Sequence, residues 1–309
     1  RYAMNAIAQR LRISFRPALI HLGISALIAM LAMLVIFQVW YPAPLSDLQG
    51  VDRLVLIMIG VDVVIGPLIT LIVYNPAKKS LRFDLGVIAM LQTLALLYGL
   101  QAIYDGRPAY VVFSVDRFEV VPVQDVNQDS LGRTAAEFQP SFWRPATVAA
   151  RIPDDPEKRS DILFSSISGG ADLAQLPEYY VALDAERAAM LARLRPMEEL
   201  RKLNELDDAA WAALLASFGK QTPTELELGY LPVSGNVKDG AMIVDAQTGE
   251  VLGMRLLIPS YAALKKPPGD APTPVAPATQ TEPAPASSPA PETPSPAPSP
   301  RPMASPGVG

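Results

Sequence analysis

Three long apolar runs dominate the first part of this 309-residue chain and restrict what it can fold into. They cover residues 18–41, 54–74 and 85–104. Each run holds about 20 residues or more, which is the length that an α-helix needs to cross a hydrocarbon core of about 30 Å. The runs therefore predict a membrane protein with three transmembrane α-helices.

The first run has the features of a signal sequence that is retained rather than cleaved. Arg10, Arg12 and Arg16 precede it, as basic residues precede a secretory signal. Its apolar part is longer than the roughly 7–15 residues of a cleaved signal, and no A-x-A cleavage site follows. Pro42 and Pro44 would also hinder cleavage. We interpret residues 18–41 as a retained signal anchor.

The distribution of basic residues predicts the orientation of the spans. The loop between the second and third runs carries the motif Asn75, Pro76, Lys78, Lys79 and Arg82. The three lysine and arginine residues of this loop and the three arginines before the first run make six basic residues on one side. Only two, Arg53 and Arg107, lie near the ends of the spans on the other side. Short loops rich in Lys and Arg stay in the cytoplasm. The amino terminus and the 75–84 loop are therefore predicted to be cytoplasmic, and the chain after residue 104 extracytoplasmic.

Composition argues against several classes of function. The chain has no cysteine, which excludes disulfides and thiolate chemistry, and His21 is its single histidine, which argues against a zinc site or a Ser-His-Asp triad. A net charge of −5 argues against nucleic acid as a partner. No Walker loop, nucleophile elbow or dinucleotide fingerprint is present. We predict no catalytic residue, no metal ligand and no cofactor site, and hence no enzyme.

Alternating and β-rich segments indicate an α+β domain over residues 105–260. Residues 109–115 and 118–123 read as two strands of a hairpin that turns at Asp116 and Arg117. Residues 241–245 and 250–258 read as a second hairpin, with a Gln-Thr-Gly turn between them.

Helical spacing appears in the middle of the same domain. Apolar residues recur near helical spacing from Pro177 to residue 203, and Pro196 is expected to kink or split that helix. A second helix is predicted over residues 207–218. Residues 124–176 are rich in turn formers, and we expect loops and short elements there.

The chain ends in a segment rich in Pro, Ala, Ser and Thr. Such a composition cannot bury enough apolar surface to offset chain entropy, so the tail is expected to be disordered. It is either a dispensable extension or a spacer that reaches into the cell wall. The predicted organisation is thus a cytoplasmic segment (1–17), a membrane domain (18–104), an α+β domain (105–260) and a disordered tail (261–309).

One acidic residue lies deep in the second span. Asp62 is eight residues inside the run that starts at residue 54, roughly 12 Å from its edge, where an ionised carboxylate is costly. An acid at this depth suggests either a proton relay or a docking point for a polar group of a partner helix. The structural alternative, which we favour, is a protonated side chain bonded to Gln92 or Thr93 of the third span.

Several of these segments resemble a known family. The runs HLGISALI from residue 21, VWYP from residue 39 and GVDVVIGPLIT from residue 60 are similar to the type IV pilin accessory protein family. So are NPAKKSLRFDL from residue 75 and YDGRPAYVVF from residue 104. The resemblance covers roughly residues 18–125 well, extends more loosely to about residue 260, and leaves out the tail.

The resemblance implies a location and a partner. Members of that family are multi-pass inner-membrane proteins of Gram-negative bacteria that assist pilus assembly in a pilin-selective way. The implied partners are the type IV major pilin, membrane lipid and, as a further candidate, the pilus assembly machinery. The α+β domain is implied to lie in the periplasm. The resemblance implies no catalysis and supplies no active-site residue.

Two other classes of function stay open on the sequence. A small oligomeric membrane transporter would need several copies, since three spans offer few polar residues to line a pore. A structural membrane protein anchored to the cell wall would depend on the proline-rich tail. Co-purification with pilin, with a solute or with peptidoglycan would separate the three.

Overall fold

Three long apolar helices form the amino-terminal part of the molecule, as the sequence predicts. The computed structural model describes residues 2–218 and 227–260. The portions long and apolar enough to cross a membrane are Arg12–Trp40, Asp52–Val73 and Leu81–Asp105. The expected disordered tail lies outside the described residues.

The first two spans each contain a π-helical segment. The first span is helix α1 (Tyr2–Val35) followed by the π-helical segment Ile36–Trp40. A short helix, α2 (Leu45–Gln49), connects it to the second span. The second span consists of α3 (Asp52–Ile59), the π-helical segment Gly60–Ile65 and α4 (Gly66–Val73), and the third is the single helix α5 (Leu81–Asp105). Segments of π-helix are rare and often mark functional positions.

A mixed sheet with surrounding helices follows the spans and confirms the α+β class. Its strands are β1 (Pro108–Ser114), β2 (Arg117–Pro122), β3 (Ala146–Ala150), β4 (Tyr180–Val181), β5 (Arg195–Pro196), β6 (Leu228–Ser234), β7 (Gly240–Asp245) and β8 (Val251–Arg255). The order across the sheet is β4-β3-β1-β2-β6-β7-β8, with β5 paired to β6. The β1–β3 and β2–β6 pairs are parallel and the other pairs antiparallel.

Both faces of the central strands are buried, which explains why their sequences are continuously apolar rather than alternating. On β1, Val111 and Phe113 belong to a core on one face that also contains Leu48 of α2. Tyr110 and Val112 belong to a core on the other face. A third core packs α9 (Met197–Leu203) and α10 (Asp208–Ala216) against β6 and β7.

Short helices cover the sheet. They are α6 (Gln128–Gly132), α7 (Pro156–Ile167), α8 (Arg187–Leu191), α9 (Met197–Leu203) and α10 (Asp208–Ala216), with 3-10 turns at Val123–Asp125, Ala136–Phe138, Leu173–Gln175, Pro177–Tyr179 and Leu183–Glu186. Helix α10 confirms the helix expected over residues 207–218. The side chain of Asp207 caps it by accepting a hydrogen bond from the Ala210 amide.

The helical stretch expected between residues 177 and 203 is wrong for residues 177–186, whereas the expected break at Pro196 is confirmed. Tyr180 and Val181 pair with β3, and Pro196 lies in the two-residue strand β5 before α9 begins. Pairing with the sheet therefore outweighs the helical spacing of the apolar residues. The two hairpins are confirmed as β1–β2 and β7–β8, whereas β3 and β6 have no counterpart among the predicted strands.

Candidate functional site

Polar side chains join the first and second spans inside the helical bundle. The Ser14 hydroxyl donates to the main-chain oxygen of Tyr74 at 3.0 Å, and His21 Nδ1 lies 2.6 Å from Thr70 Oγ1. Ser14 and Thr70 are buried. Lipid offers no hydrogen-bond partners, so polar groups in a membrane bundle are satisfied by one another. These two bonds fix the antiparallel register of the two spans.

Asp62 lies in the π-helical segment near the middle of the second span. Its side chain is buried, and Oδ1 has no hydrogen-bond partner among the described residues. Gln92 Nε2 donates to the main-chain oxygen of Asp62 at 3.3 Å, and the Thr93 hydroxyl donates to the main-chain oxygen of Ala89 at 2.8 Å. The expected side-chain bond from Gln92 or Thr93 to the carboxyl is therefore wrong, because both reach main-chain oxygens instead. A π-helical segment shifts the helical hydrogen-bond pattern and frees such oxygens.

A cavity of about 190 Å³ adjoins the Asp62 carboxyl between the spans. Its polar lining is His21, Ser25, Asp62, Gln92 and Thr93, and its apolar lining is Ile24, Ile28, Ala89 and Leu96. A cavity of this size has room for water, which would bridge the polar groups of its lining that do not touch directly. The structure thus gathers all three predicted intramembrane polar residues around one space.

Gly66 makes the approach of Gln92 possible. A Cβ atom built on Gly66 would lie 1.9 Å from Gln92 Nε2. A larger residue would push the flexible amide away from the Asp62 main-chain oxygen. By contrast, a Cβ atom on Gly60 would meet no neighbour within 4 Å. Packing between the spans therefore requires a glycine at position 66 but not at position 60.

The predicted basic motif forms a compact turn after the second span. Asn75 Oδ1 accepts a hydrogen bond from the Ala77 amide at 3.1 Å, and the Asn75 main-chain oxygen accepts one from the Lys78 amide at 3.0 Å. The Lys78 ammonium pairs with Asp84 at 2.5 Å, and Lys79 is exposed. The remaining motif residues, Pro76 and Arg82, are also exposed.

The same turn lies at the amino-terminal end of the first span. The bond between Ser14 and Tyr74 brings the ends of these two spans together. Arg12 and Arg16 flank Ser14 in sequence and are exposed. The basic residues of the two segments therefore share one end of the bundle.

The opposite end of the bundle carries an aromatic cluster that includes residues from the α+β domain. Trp40 and Tyr104, at the ends of the first and third spans, have ring centroids 5.3 Å apart, and the Phe142 ring lies within 6 Å of both. The guanidinium of the buried Arg107 lies 4.5 Å from the centre of the Tyr104 ring. Sequence reasoning did not connect Phe142 with this end of the bundle, because it lies in a segment without a regular pattern.

Helix α2 docks the connection between the first two spans onto the α+β domain. Leu48 is fully buried in the sheet core, and its main-chain oxygen accepts hydrogen bonds from the Val237 and Lys238 amides at 2.9 and 3.2 Å. The Lys238 ammonium pairs with Asp47 at 3.1 Å. The 41–51 connection and the domain therefore lie on the same side of the membrane, as an arrangement of three spans requires.

Comparison with known proteins decides the family. The model of "Fimbrial assembly protein FimB" matches residues 9–50, which cover most of the first span and all of α2. The fimbrial assembly protein of serogroup I from Dichelobacter nodosus is 33% identical over 200 residues, 63% of this chain and 77% of that protein. The chain belongs to the fimbrial assembly protein family. No solved structure matches it significantly.

Two more fimbrial assembly proteins of Dichelobacter nodosus agree with this assignment. The serogroup E1 protein is 32% identical over 200 residues, again 63% of this chain and 77% of the relative. The protein of serogroups C1 and C2 is 36% identical over 125 residues, which is 40% of this chain and 95% of the relative. These matches confirm the family to which the sequence motifs pointed.

Within this family member, the α+β domain holds one acid that sequence reasoning missed. Glu119 lies on β2, between the buried residues Phe118 and Val120. Burial, and secondarily the nearby Asp172 carboxylate, raise the pKa of Glu119 to about 7. A glutamate inside an apolar strand was the available signal. Within residues 2–218 and 227–260, no group of three or more His, Cys, Asp or Glu side chains is placed to hold a metal ion.

Proposed function

We propose that this chain is a non-enzymatic accessory protein of the bacterial inner membrane that assists type IV pilus assembly in a pilin-selective way. The observation that carries the proposal is the identity of 32–33% to fimbrial assembly proteins over 77% of their length. The major pilin is the proposed partner, and the pilus assembly machinery is a further candidate. The rival functions, an oligomeric transporter and a cell-wall anchor, have no comparable support.

The proposed topology places the basic end of the bundle in the cytoplasm. Arg12, Arg16 and the 75–82 turn meet at that end, and short basic loops favour the cytoplasmic side. The α+β domain (105–260), together with the docked α2, then lies in the periplasm, and residues 18–104 form the membrane domain. The amino-terminal segment, residues 1–17, begins on the cytoplasmic side.

A groove between the first two spans is the proposed docking surface for the apolar helix that holds an unassembled pilin in the membrane. Its volume is about 400 Å³, and no residue of the third span lines it. The groove residues are Phe15, Ala18, Leu19, Leu22, Val63, Val64, Pro67, Leu68 and Leu71. Helices in lipid associate through close packing of complementary surfaces rather than by expulsion of water. An apolar helix laid in this groove would gain such packing.

The proposal allows the chain to contact a pilin in two places. Helix α2 and the aromatic cluster join the bundle directly to the α+β domain. A partner with an apolar helix in the groove would therefore have its extracytoplasmic part held near this domain. Contact at both places would give selectivity for one pilin, because the two surfaces must fit simultaneously.

Photocrosslinking in cells tests the docking surface. A photoreactive amino acid replaces Leu68 in the groove, and the matched control replaces Leu91, which lies on the third span with a similar exposure. We expect the major pilin to be crosslinked from position 68 and not from position 91. Equal crosslinking from both positions would show that the groove is not the docking surface. Absence of pilin from every adduct would contradict a direct contact within the membrane.

A further inference from the structure

Two large aromatic side chains of the α+β domain are exposed beside the membrane helices. Phe142 and Trp143 lie in the loop between the 3-10 turn Ala136–Phe138 and β3. Their exposed fractions are 47% and 68%. Exposed neighbouring aromatic rings of this size are unusual on a water-facing surface and mark a contact with another phase or molecule.

The position of this loop relative to the spans indicates what the two exposed aromatic side chains contact. The Phe142 ring lies 5.9 Å from Trp40 and 5.8 Å from Tyr104, which are located at the ends of the first and third spans. Trp143 stacks edge-on against Phe142 at 5.2 Å. Because helix ends of transmembrane segments lie at the boundary between hydrocarbon and headgroups, the loop lies at the same depth.

The loop is held in this position by a buried arginine. Arg107 lies two residues after the end of the third span. It donates to the Ser141 main-chain oxygen at 3.0 Å and to the Tyr104 hydroxyl at 3.3 Å. The Ser141 hydroxyl in turn accepts a hydrogen bond from the Trp143 amide at 3.1 Å. The aromatic pair is therefore fixed to the end of the span.

We propose that Phe142 and Trp143 insert into the interfacial layer of the lipid bilayer and anchor the α+β domain to the membrane surface. The partner is lipid because the loop continues an aromatic cluster that already lies at the membrane boundary. Tryptophan prefers this layer, where its ring meets acyl chains and its N–H meets water or headgroups. The proposal depends neither on the orientation of the spans nor on pilus assembly.

A fluorescent label tests the insertion, since a chain without cysteine accepts a unique one. Trp143→Cys is labelled with an environment-sensitive dye in the full-length protein, and the protein is reconstituted into phosphatidylcholine vesicles. Some vesicles contain a phospholipid with a nitroxide quencher near the top of its acyl chain. The control is Gln247→Cys, whose exposed position lies in the turn between β7 and β8. That turn is at the opposite end of β7 from the Val237 turn that contacts α2.

The expected result is a blue-shifted emission and loss of intensity with quencher lipid for the dye at position 143 only. Equal behaviour of the two positions would overturn the proposal. The proposal would also be overturned if the blue shift at position 143 appeared only after pilus proteins are added, because this surface would then bind protein rather than lipid.

A second measurement keeps Trp143 itself as the reporter. The conservative variant Trp40→Phe/Trp211→Phe leaves Trp143 as the remaining tryptophan of the chain. We expect the nitroxide lipid to quench its emission and aqueous iodide to quench it poorly. Efficient quenching by iodide with no effect of the lipid quencher would overturn the proposal. This variant leaves the sequence of the loop unchanged.

Discussion

At mid-membrane, the side chain of Asp62 is buried beside the cavity between the spans. One of its oxygens has no direct partner among the described residues. An ionised carboxylate at this depth costs several kcal/mol unless it is paired. We therefore propose that Asp62 is neutral and is satisfied through the cavity, which His21 and Ser25 also line. We propose that its role is structural rather than a contact with a charged partner.

Substitution of Asp62 separates these roles. We expect Asp62→Asn to leave surface pili unchanged, since an amide keeps the shape and can donate a hydrogen bond. Asp62→Leu should destabilise the bundle by about 1 kcal/mol, in the range of intramembrane hydrogen bonds. Asp52→Asn on the exposed end of the same span is the control. Loss of pili in Asp62→Asn, with normal protein level and insertion, would make the charge itself a contact site.

The raised pKa of Glu119 predicts a pH dependence of stability. Burial raises this pKa to about 7, above the ordinary value near 4.5. Between about pH 4.5 and pH 7 the Glu119 carboxyl is therefore protonated in the folded state and ionised in the unfolded state. Because the folded state binds the extra proton, the unfolding free energy falls as the pH rises through this window. The loss is complete above about pH 7 and is on the order of 1–3 kcal/mol.

Glu119→Gln should remove this contribution. The variant is expected to have a higher Tm than the parent at about pH 8 and a similar Tm at about pH 4, measured in detergent micelles. The exposed Glu137→Gln serves as the control for loss of a negative charge. A Tm difference between variant and parent that does not change with pH would show that Glu119 titrates normally in the folded protein.

Among the elements, α2 carries the strongest prediction about packing. Leu48 is fully buried in the core of the α+β domain, although it belongs to the connection between two membrane spans. Leu48→Ala should lower the unfolding free energy of the domain by about 2–5 kcal/mol, as for other buried leucines. The control Lys238→Ala removes only the exposed pair with Asp47, which should cost less than about 1 kcal/mol. Equal stability of Leu48→Ala and the parent would contradict the docking of α2.

The elements that could be predicted from the sequence are those with an unbroken local pattern. The three spans follow from run length, and the β1–β2 and β7–β8 hairpins follow from apolar runs around short turns. The segment between Pro177 and residue 203 can be predicted only in part, because much of its apolar spacing comes from separate pieces that pack on the sheet. Helix α2 was missed, because two leucines in a short loop carry no periodic signal.

The candidate site was predictable in part for similar reasons. Asp62, Gln92 and Thr93 do surround one cavity, since their positions along the spans place them at similar depth. Their hydrogen bonds were not predictable, because the π-helical segment that frees the Asp62 main-chain oxygen leaves no mark in the residue pattern. Phe142 reaches the membrane end through a long-range contact, which no local pattern reports.

For the molecule as a whole, the proposed topology can be tested with unique cysteines. Ala77→Cys lies in the basic turn and Gln247→Cys in the α+β domain, and both positions are exposed. In intact cells, a small reagent that cannot cross the inner membrane should label position 247. It should label position 77 only after the membrane is disrupted. The reverse pattern would invert the orientation while leaving the family assignment intact.

Pilus formation in a deletion strain tests the central proposal most directly. Surface pili and total pilin are measured in a strain that lacks this gene, and again after the full chain is restored. We expect surface pili to be lost while pilin stays in the membrane, and we expect the restored chain to bring surface pili back. The same deletion in a second strain, which carries an unrelated type IV pilin, should reduce surface pili less, since the proposed action is pilin-selective. Normal pili in the deletion strain carrying its own pilin would contradict the account.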